Sequence, residues 1–128
     1  MREITTHVVE GDKNPQLKIF VTDEPGVGGA NHEYVISWST GQAGDGYPEG
    51  DSVAISFQNG PIKEHGLNGV THEALLAIVI DRLEHFQAGP FACEDDDFAL
   101  SDCVFALDAL QERTQDRLAR GVEGKAQA

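Results

Sequence analysis

The sequence has little cysteine, little positive charge and no long apolar run. Cys93 and Cys103 are too few for a disulfide framework, and the N-terminus lacks the charged-then-apolar pattern of a signal peptide. A reducing cytoplasm is therefore the expected location. Nine Lys and Arg stand against 22 Asp and Glu, a formal charge of −13, so the field of the whole molecule repels duplex DNA, RNA and anionic membrane. Any anionic ligand must be held by a local basic cluster. The longest apolar run, Ala74 to Ile80, is far too short to cross a bilayer. What is present is enough for a core: 40% of the 128 residues are hydrophobic, which fits one soluble domain and is too short for two ordinary ones. That single domain, 1–128, reads as a β-rich part (1–67), a helical hairpin (68–124) and a tail (125–128).

Before Asn68 come short β-like runs separated by Gly, Pro, Asp and Asn. Ile4 to Val9, Leu17 to Thr22, His32 to Ser39 and Ser52 to Gln58 are rich in Val, Ile, Phe and Thr. No crossover helix separates them, so the sheet is expected to be antiparallel. Period-two alternation puts Leu17, Ile19 and Val21 on one face, with His32, Tyr34, Ile36 and Trp38, and Val53, Ile55 and Phe57. The helices that follow are the available cover for that face, giving an α+β fold in which the sheet packs with a two-helix hairpin. The first helix is expected to start after Thr71, a capping hydroxyl, with Glu73 in the positive first turn, and to end at Gly89-Pro90. It is apolar almost all round from Ala74 to Ile80, which calls for two covering surfaces: the sheet plus the second helix, or a neighbouring subunit. The second helix is expected from about Asp97 to Arg120, with Gly121 as C′ glycine and a frayed tail beyond. Its Leu100, Cys103, Val104, Leu107, Leu110 and Leu118 fall on one stripe at about 100° per residue.

Arg113, Arg117 and Arg120, spaced i, i+4, i+7, form the most informative cluster in a chain so poor in cations. On a helical wheel they flank the apolar stripe, with Asp108, Glu112 and Asp116 toward the other flank and the back. Their mutual repulsion, roughly a few tenths of a kcal/mol in water, would be reversed by a phosphate held through bidentate hydrogen bonds. The alternative is structural: cations in a last turn complement the helix dipole, and Asp116 can pair with Arg113 and Arg120. Pattern alone favours that alternative. The loop Pro25-Gly26-Val27-Gly28-Gly29-Ala30-Asn31 offers consecutive N–H groups for an anion nest, or is a plain hairpin connection. It is not a P-loop or dinucleotide fingerprint, since no G-K-[ST] is present and a strand follows. The stretch from Asn59 to Thr71 likewise supplies backbone donors and a helix start.

Catalytic and metal readings are poorer. Cys93, Cys103, His65, His72 and His85 lack zinc-site spacing, and Asp95-Asp96-Asp97 lacks the Gly and final Glu of an EF-hand, which leaves a solvated turn. Asp45 and Asp51 fall in a Gly-rich loop without identifiable partners, and no serine sits in a G-x-S-x-G elbow. No metal or cofactor is expected. Trp38, Tyr34, Phe86 and Phe91 are either core or platforms for a base.

The series Asn68-Gly69-Val70-Thr71-His72-Glu73-Ala74-Leu75-Leu76-Ala77-Ile78-Val79-Ile80-Asp81-Arg82-Leu83, then Phe86-Gln87-Ala88-Gly89-Pro90-Phe91, then Arg113-Thr114, Arg117 and Arg120-Gly121-Val122-Glu123-Gly124 resembles the helical-hairpin domain shared by phage anti-CBASS and Thoeris anti-defence sponges. The added β region, with Asp23 to Tyr34, is more similar to the Thoeris anti-defence members. The resemblance implies a non-enzymatic, homo-oligomeric sponge, dimer or hexamer, that sequesters cyclic nucleotide second messengers intact: glycocyclic ADP-ribose, and in some members cyclic oligonucleotides at separate sites. It turns the reading of the arginine stripe toward ligand. Arg113 and Arg117 are then expected on phosphate oxygens with Arg120 assisting, Gly28, Gly29 and Ala30 as backbone donors, Phe86 or Phe91 stacked on the base, and Asn68 on ribose or phosphate. His72 stands where many relatives have a short amide, and the triple aspartate departs from them too.

Two other classes remain beside this one. A phosphodiesterase degrading the same messengers needs a metal cluster or a general acid and base, and an acidic inhibitor would cover a host protein instead. No duplex nucleic acid or membrane is expected as a partner.

Overall fold

Alternating apolar residues build a four-stranded meander in which every neighbour in the sheet is a neighbour in the chain. In the computed structural model, residues 1–12, 17–38 and 51–124 are described. The strands β1 (Arg2–Ile4), β2 (Leu17–Val21), β3 (Glu33–Trp38) and β4 (Asp51–Ser56) lie in the order β1-β2-β3-β4, all antiparallel. The helices α1 (Ile62–His65), α2 (His72–Gln87) and α3 (Glu94–Ala119) follow, so the class is α+β as expected. The chain forms two compact units: Met1–Gly60 with Leu67–Gly69, and Pro61–Gly66 with Val70–Ala128. Ser39 and Asp45, and the tail 125–128, lie outside the described residues.

Register bears out the face read from alternation. Leu17, Ile19 and Val21 stand opposite Trp38, Ile36 and Tyr34, and Tyr34 and Ile36 stand opposite Ile55 and Val53. Paired residues project to the same side, so these residues line one surface. Val21 is its one fully buried side chain, and Tyr34 meets Phe57 edge-on with ring centroids 5.5 Å apart. Two expectations fail here. The first strand is Arg2–Ile4 rather than Ile4 to Val9, because the chain turns after Thr5, with the Val8 N–H donating to the Thr5 carbonyl. Asp51 is not a loop residue: it opens β4 opposite Trp38, and its carboxylate accepts from the Ser52 N–H at 2.9 Å.

The β2–β3 connection is tied by Asp23. Its carboxylate accepts from the backbone N–H groups of His32 at 2.9 Å and Glu33 at 3.1 Å, while Asn31 donates to the Asp23 carbonyl and accepts from Arg2. Partial burial pushes the Asp23 carboxyl up, but the N–H groups of His32 and Glu33, the Asn31 amide and the His32 ring outweigh it and hold it below the usual range. A carboxylate with a depressed pKa stabilises the fold above its unfolded value and loses that contribution as pH falls through the folded one. Asp23→Asn is therefore expected to melt below the wild type at neutral pH, with the gap closing as pH falls below about 4. Melting curves across that range test it; a gap independent of pH overturns the assignment.

The hairpin is held by a seam stepping alternately by three and four residues. On α2 the half-buried or buried positions include Glu73, Leu76, Ile80, Leu83 and Gln87; on α3 they are Asp96, Leu100, Cys103, Leu107, Leu110, Thr114 and Arg117. A 3.5-residue repeat is what two long helices in lateral contact require, and it drifts away from a 100° projection. That drift corrects the expected stripe: Leu118 is 62% exposed and Val104 is also exposed, and Arg117 takes the last inner position at 6%. On α2, Ile78 and Val79 are exposed and Ile80 is buried.

Helix ends follow their caps. Thr71 Oγ1 accepts from the Ala74 N–H at 3.2 Å, as expected of that residue. The α3 start differs from expectation, because Cys93 is the N-cap, its sulfur accepting from the Asp96 N–H at 3.4 Å. Glu94 to Asp97 thus form the first turn, where four carboxylates complement the N-terminal dipole, rather than a turn before the helix. The chain beyond Gly121 (φ +73°) is not frayed before residue 125. The Val122 N–H donates to the Arg117 carbonyl, and the Lys63 N–H to that of Gly124.

Candidate functional site

Where α2 ends, the chain turns back on itself and leaves a cleft of about 430 Å³ lined by Asp81, Arg82, His85, Phe86, Gly89, Pro90 and Phe91. Gly89-Pro90 stops the helix, and Gln87 fixes the return. Its amide donates to the Cys93 carbonyl at 3.0 Å and accepts from the Cys93 N–H at 3.1 Å, closing the segment between them into a loop. That closure brings Phe91, 74% exposed, to the cleft that Phe86 also lines. The two aromatic residues named from the sequence are thereby brought together. Two others were missed: Arg82, whose guanidinium carbon lies 5.6 Å from the Phe86 ring centroid, and His85, whose Nδ1 lies 2.7 Å from the Asp81 carbonyl. The i, i+4 spacings Arg82–Phe86 and Asp81–His85 were the available signal.

Hydrogen bonding to the Asp81 carbonyl raises the His85 pKa, reinforced by the Asp81 carboxylate 3.6 Å away; desolvation opposes them, and the Glu84 carboxylate adds the least. Chemically the cleft offers rings for a planar group, a guanidinium and an imidazole for negative charge, and a carboxylate acceptor.

The three arginines divide by role. Arg117 donates through Nε to Glu123 at 2.9 Å and through Nη2 to the Val122 carbonyl at 2.9 Å, clamping the turn that follows α3. Arg120 pairs with Asp116 at 2.9 Å on the surface, as the structural alternative foresaw for that pair. Arg113 is exposed and makes no hydrogen bond or ion pair among the described residues. From Glu94 to Arg113 the helix climbs nineteen residues, about 28 Å, so the stripe and the Phe86–Phe91 cleft occupy opposite ends of one hairpin.

Asn68 and the glycine loop belong to the sheet unit. The Asn68 amide bridges Asn59, accepting from its N–H and donating to its carbonyl, both at 2.8 Å. In the loop, the Gly29 N–H donates to the Gly26 carbonyl and the Gly26 N–H to that of Ala30, so Gly29 (φ +88°) spends its donor internally. Gly28, Gly29 and Ala30 are exposed. Among the described residues no group of three or more His, Cys, Asp or Glu is placed to hold a metal ion, and no helix is long and apolar enough to cross a membrane.

Comparison with known proteins adds a family match over residues 49–112. The Acb2/Tad1 hairpin domain model matches residues 49–112, a span that takes in β4, α1, α2, the cleft and most of α3 and stops just before Arg113. A protein named Thoeris anti-defense 1, from Bacillus phage SBSphiJ7, is 45% identical over 75 residues, which is 59% of this chain and 53% of that protein. The chain thus spans about half the length of this curated relative. A sequence model that matches half of the residues leads to one assignment: the chain belongs to the Acb2/Tad1 hairpin-domain family.

Proposed function

We propose that the protein is a phage-type immune-evasion factor that binds and sequesters cyclic nucleotide second messengers in the host cytoplasm without cleaving them. The observation that carries this reading is family membership together with the 45% identity to a protein named for defeating Thoeris defence. The expected ligand is glycocyclic ADP-ribose, with CBASS cyclic oligonucleotides as further candidates. Its chemistry suits the residues at hand. A diphosphate needs local cations on a molecule of net charge −13, and an adenine needs a flat apolar surface. Arg113 is the foremost phosphate contact, held in place by a helix end that Arg117 clamps, with Arg120 beside it; Phe86 and Phe91 stack on the base; Gly28, Ala30 and Asn68 are lesser contacts.

A ligand of this size cannot reach both ends of one hairpin. A pocket using both draws Arg113 from one copy and the aromatic pair from another, which makes the working form a homo-oligomer, dimer or hexamer. The outward apolar side chains Ile78, Val79, Phe98 and Phe105 support self-association, since a lone hairpin leaves them in water.

The test is direct. Incubation with glycocyclic ADP-ribose should deplete free ligand and raise the melting temperature, and heating should return the ligand chromatographically intact. Arg113→Ala is expected to weaken binding by roughly tenfold or more, the loss of about 1.5–3 kcal/mol in a charge-assisted contact, with unchanged melting of the free protein. Cleaved ligand supports a phosphodiesterase instead, and absence of any shift across cyclic nucleotides removes the reading.

A further inference from the structure

We propose that Arg82 and His85 are ligand contacts of the cleft, and that His85 grips a doubly negative, phosphate-bearing ligand as imidazolium, so that binding takes up a proton. The inference rests on the reading above and adds to it the charge and protonation state at which the cleft works.

The geometry of His85 makes the ring a switch. Nδ1 lies 2.7 Å from the Asp81 carbonyl, an acceptor only, so Nδ1 carries a hydrogen in either charge state. The second nitrogen, Nε2, makes no hydrogen bond or ion pair among the described residues. In the neutral ring Nε2 presents a lone pair, which repels a phosphate oxygen. In the imidazolium it presents a donor. One proton therefore reverses the sign of the contact at the ring edge available to a ligand.

The balance of charge in the cleft points the same way. Its ionisable lining is Asp81, Arg82 and His85, all from α2; Glu84 lies next to His85 on that helix. The turn contributes Gly89, Pro90 and Phe91, none of which titrates, and among the described residues no side chain of α3 lines the cleft. With His85 neutral, Arg82 and Asp81 cancel and nothing favours an anion. With His85 charged, the cleft gains a net positive charge in a molecule that otherwise repels anions. Arg82 is already oriented for this, since its guanidinium carbon lies 5.6 Å from the centre of the Phe86 ring, where a stacked base would bring a phosphate within reach of its N–H edge. The carboxylates of Asp81 and Glu84 favour the charged ring before ligand arrives, and a bound phosphate extends that preference to higher pH.

Titration calorimetry with glycocyclic ADP-ribose, cyclic di-AMP and cyclic tri-AMP, each at about pH 6 and about pH 8, is the test. The wild type should bind at least one of them about fivefold more tightly at the lower pH, most of the roughly tenfold limit set by a one-unit shift in a single linked group. Buffers of differing ionisation enthalpy should reveal net proton uptake. His85→Gln, at a position where the side chain is 78% exposed and its loss leaves the fold intact, should bind at both pH values with the affinity the wild type shows at the higher one. Arg82→Gln should weaken binding about tenfold at both and keep the pH slope. A flat profile for a ligand that binds, a slope that survives His85→Gln, or wild-type binding by Arg82→Gln overturns this inference and leaves the sponge reading standing. No binding by any of the three overturns both.

Discussion

Arg117→Met is expected to lower the melting temperature by about 10 °C, while Arg113→Met, four residues earlier on the same helix, leaves it unchanged. The two side chains look equivalent in sequence and differ wholly in what surrounds them. Arg117 is buried on the seam, and its guanidinium reaches both Glu123 and the Val122 carbonyl at 2.9 Å. Met replaces most of the volume but neither hydrogen bond, leaving a carboxylate and a carbonyl with one partner fewer. Breaking a buried ion pair costs about 3–5 kcal/mol. Glu123 is 33% exposed and keeps some of its water, so a value of about 2–3 kcal/mol is appropriate here. Arg113 makes no such contacts among the described residues. Thermal melts of the two variants decide the matter. Equal melting temperatures would show that the clamp contributes nothing and would return Arg117 to the set of cations held for ligand.

Gly69→Ala should be comparably damaging, for a steric reason. A Cβ at this position would run into the Phe57 carbonyl carbon and lie 2.6 Å from the carbonyl oxygens of Phe57 and Ser56. These are backbone atoms at the end of β4, anchored by the Phe57 N–H bond to the His32 carbonyl, so they cannot swing aside as a side-chain tip would. The neighbouring Asn68 amide holds the returning chain against Asn59 and closes the other escape. Overpacking of this kind costs about 3 kcal/mol. Gly66 is the informative control. Its φ of +71° with ψ −179° is backbone that only glycine adopts readily, but an added Cβ would meet nothing within 4 Å, so Gly66→Ala should lose only the backbone strain, about 2 kcal/mol. Urea unfolding should therefore rank wild type, Gly66→Ala and Gly69→Ala in falling order of midpoint with similar slopes. A Gly69→Ala midpoint equal to that of the wild type would mean the chain does not lie against β4 as described.

The sheet was the most legible part because a period of two leaves no ambiguity about faces. Leu17, Ile19 and Val21 sit opposite Trp38, Ile36 and Tyr34, as alternation required. Thr71, Gly89-Pro90 and Gly121 marked helix ends for the same kind of reason, each being a residue whose backbone or side-chain chemistry suits a terminus. The misses have physical causes as well. Cys93 caps α3 with a weak sulfur acceptor, a residue that cap statistics do not favour, so the acidic run after it read as a turn. The single turn of α1 between Pro61 and Gly66 is too short to show periodicity. Arg117 falls on the flank of the apolar stripe in a 100° projection, which misplaces the far end of a 26-residue helix whose contacts repeat every 3.5. Of the candidate site, Phe86 and Phe91 were legible as aromatics at a helix end. Arg82 and His85 were not, because only the loop closed by Gln87 makes a cleft of what is otherwise an ordinary exposed helix face.

The alternating seam of α3 also acts as a ruler. Leu100 and Arg117 are both inward-facing, and a single inserted or deleted residue between them would swing everything downstream by about 100°, turning Arg117 and the turn it clamps out of the seam together. Length changes in this stretch should accordingly be tolerated only in whole sevens, whereas the glycine-rich β2–β3 connection, exposed at its tip, has no such metre to keep.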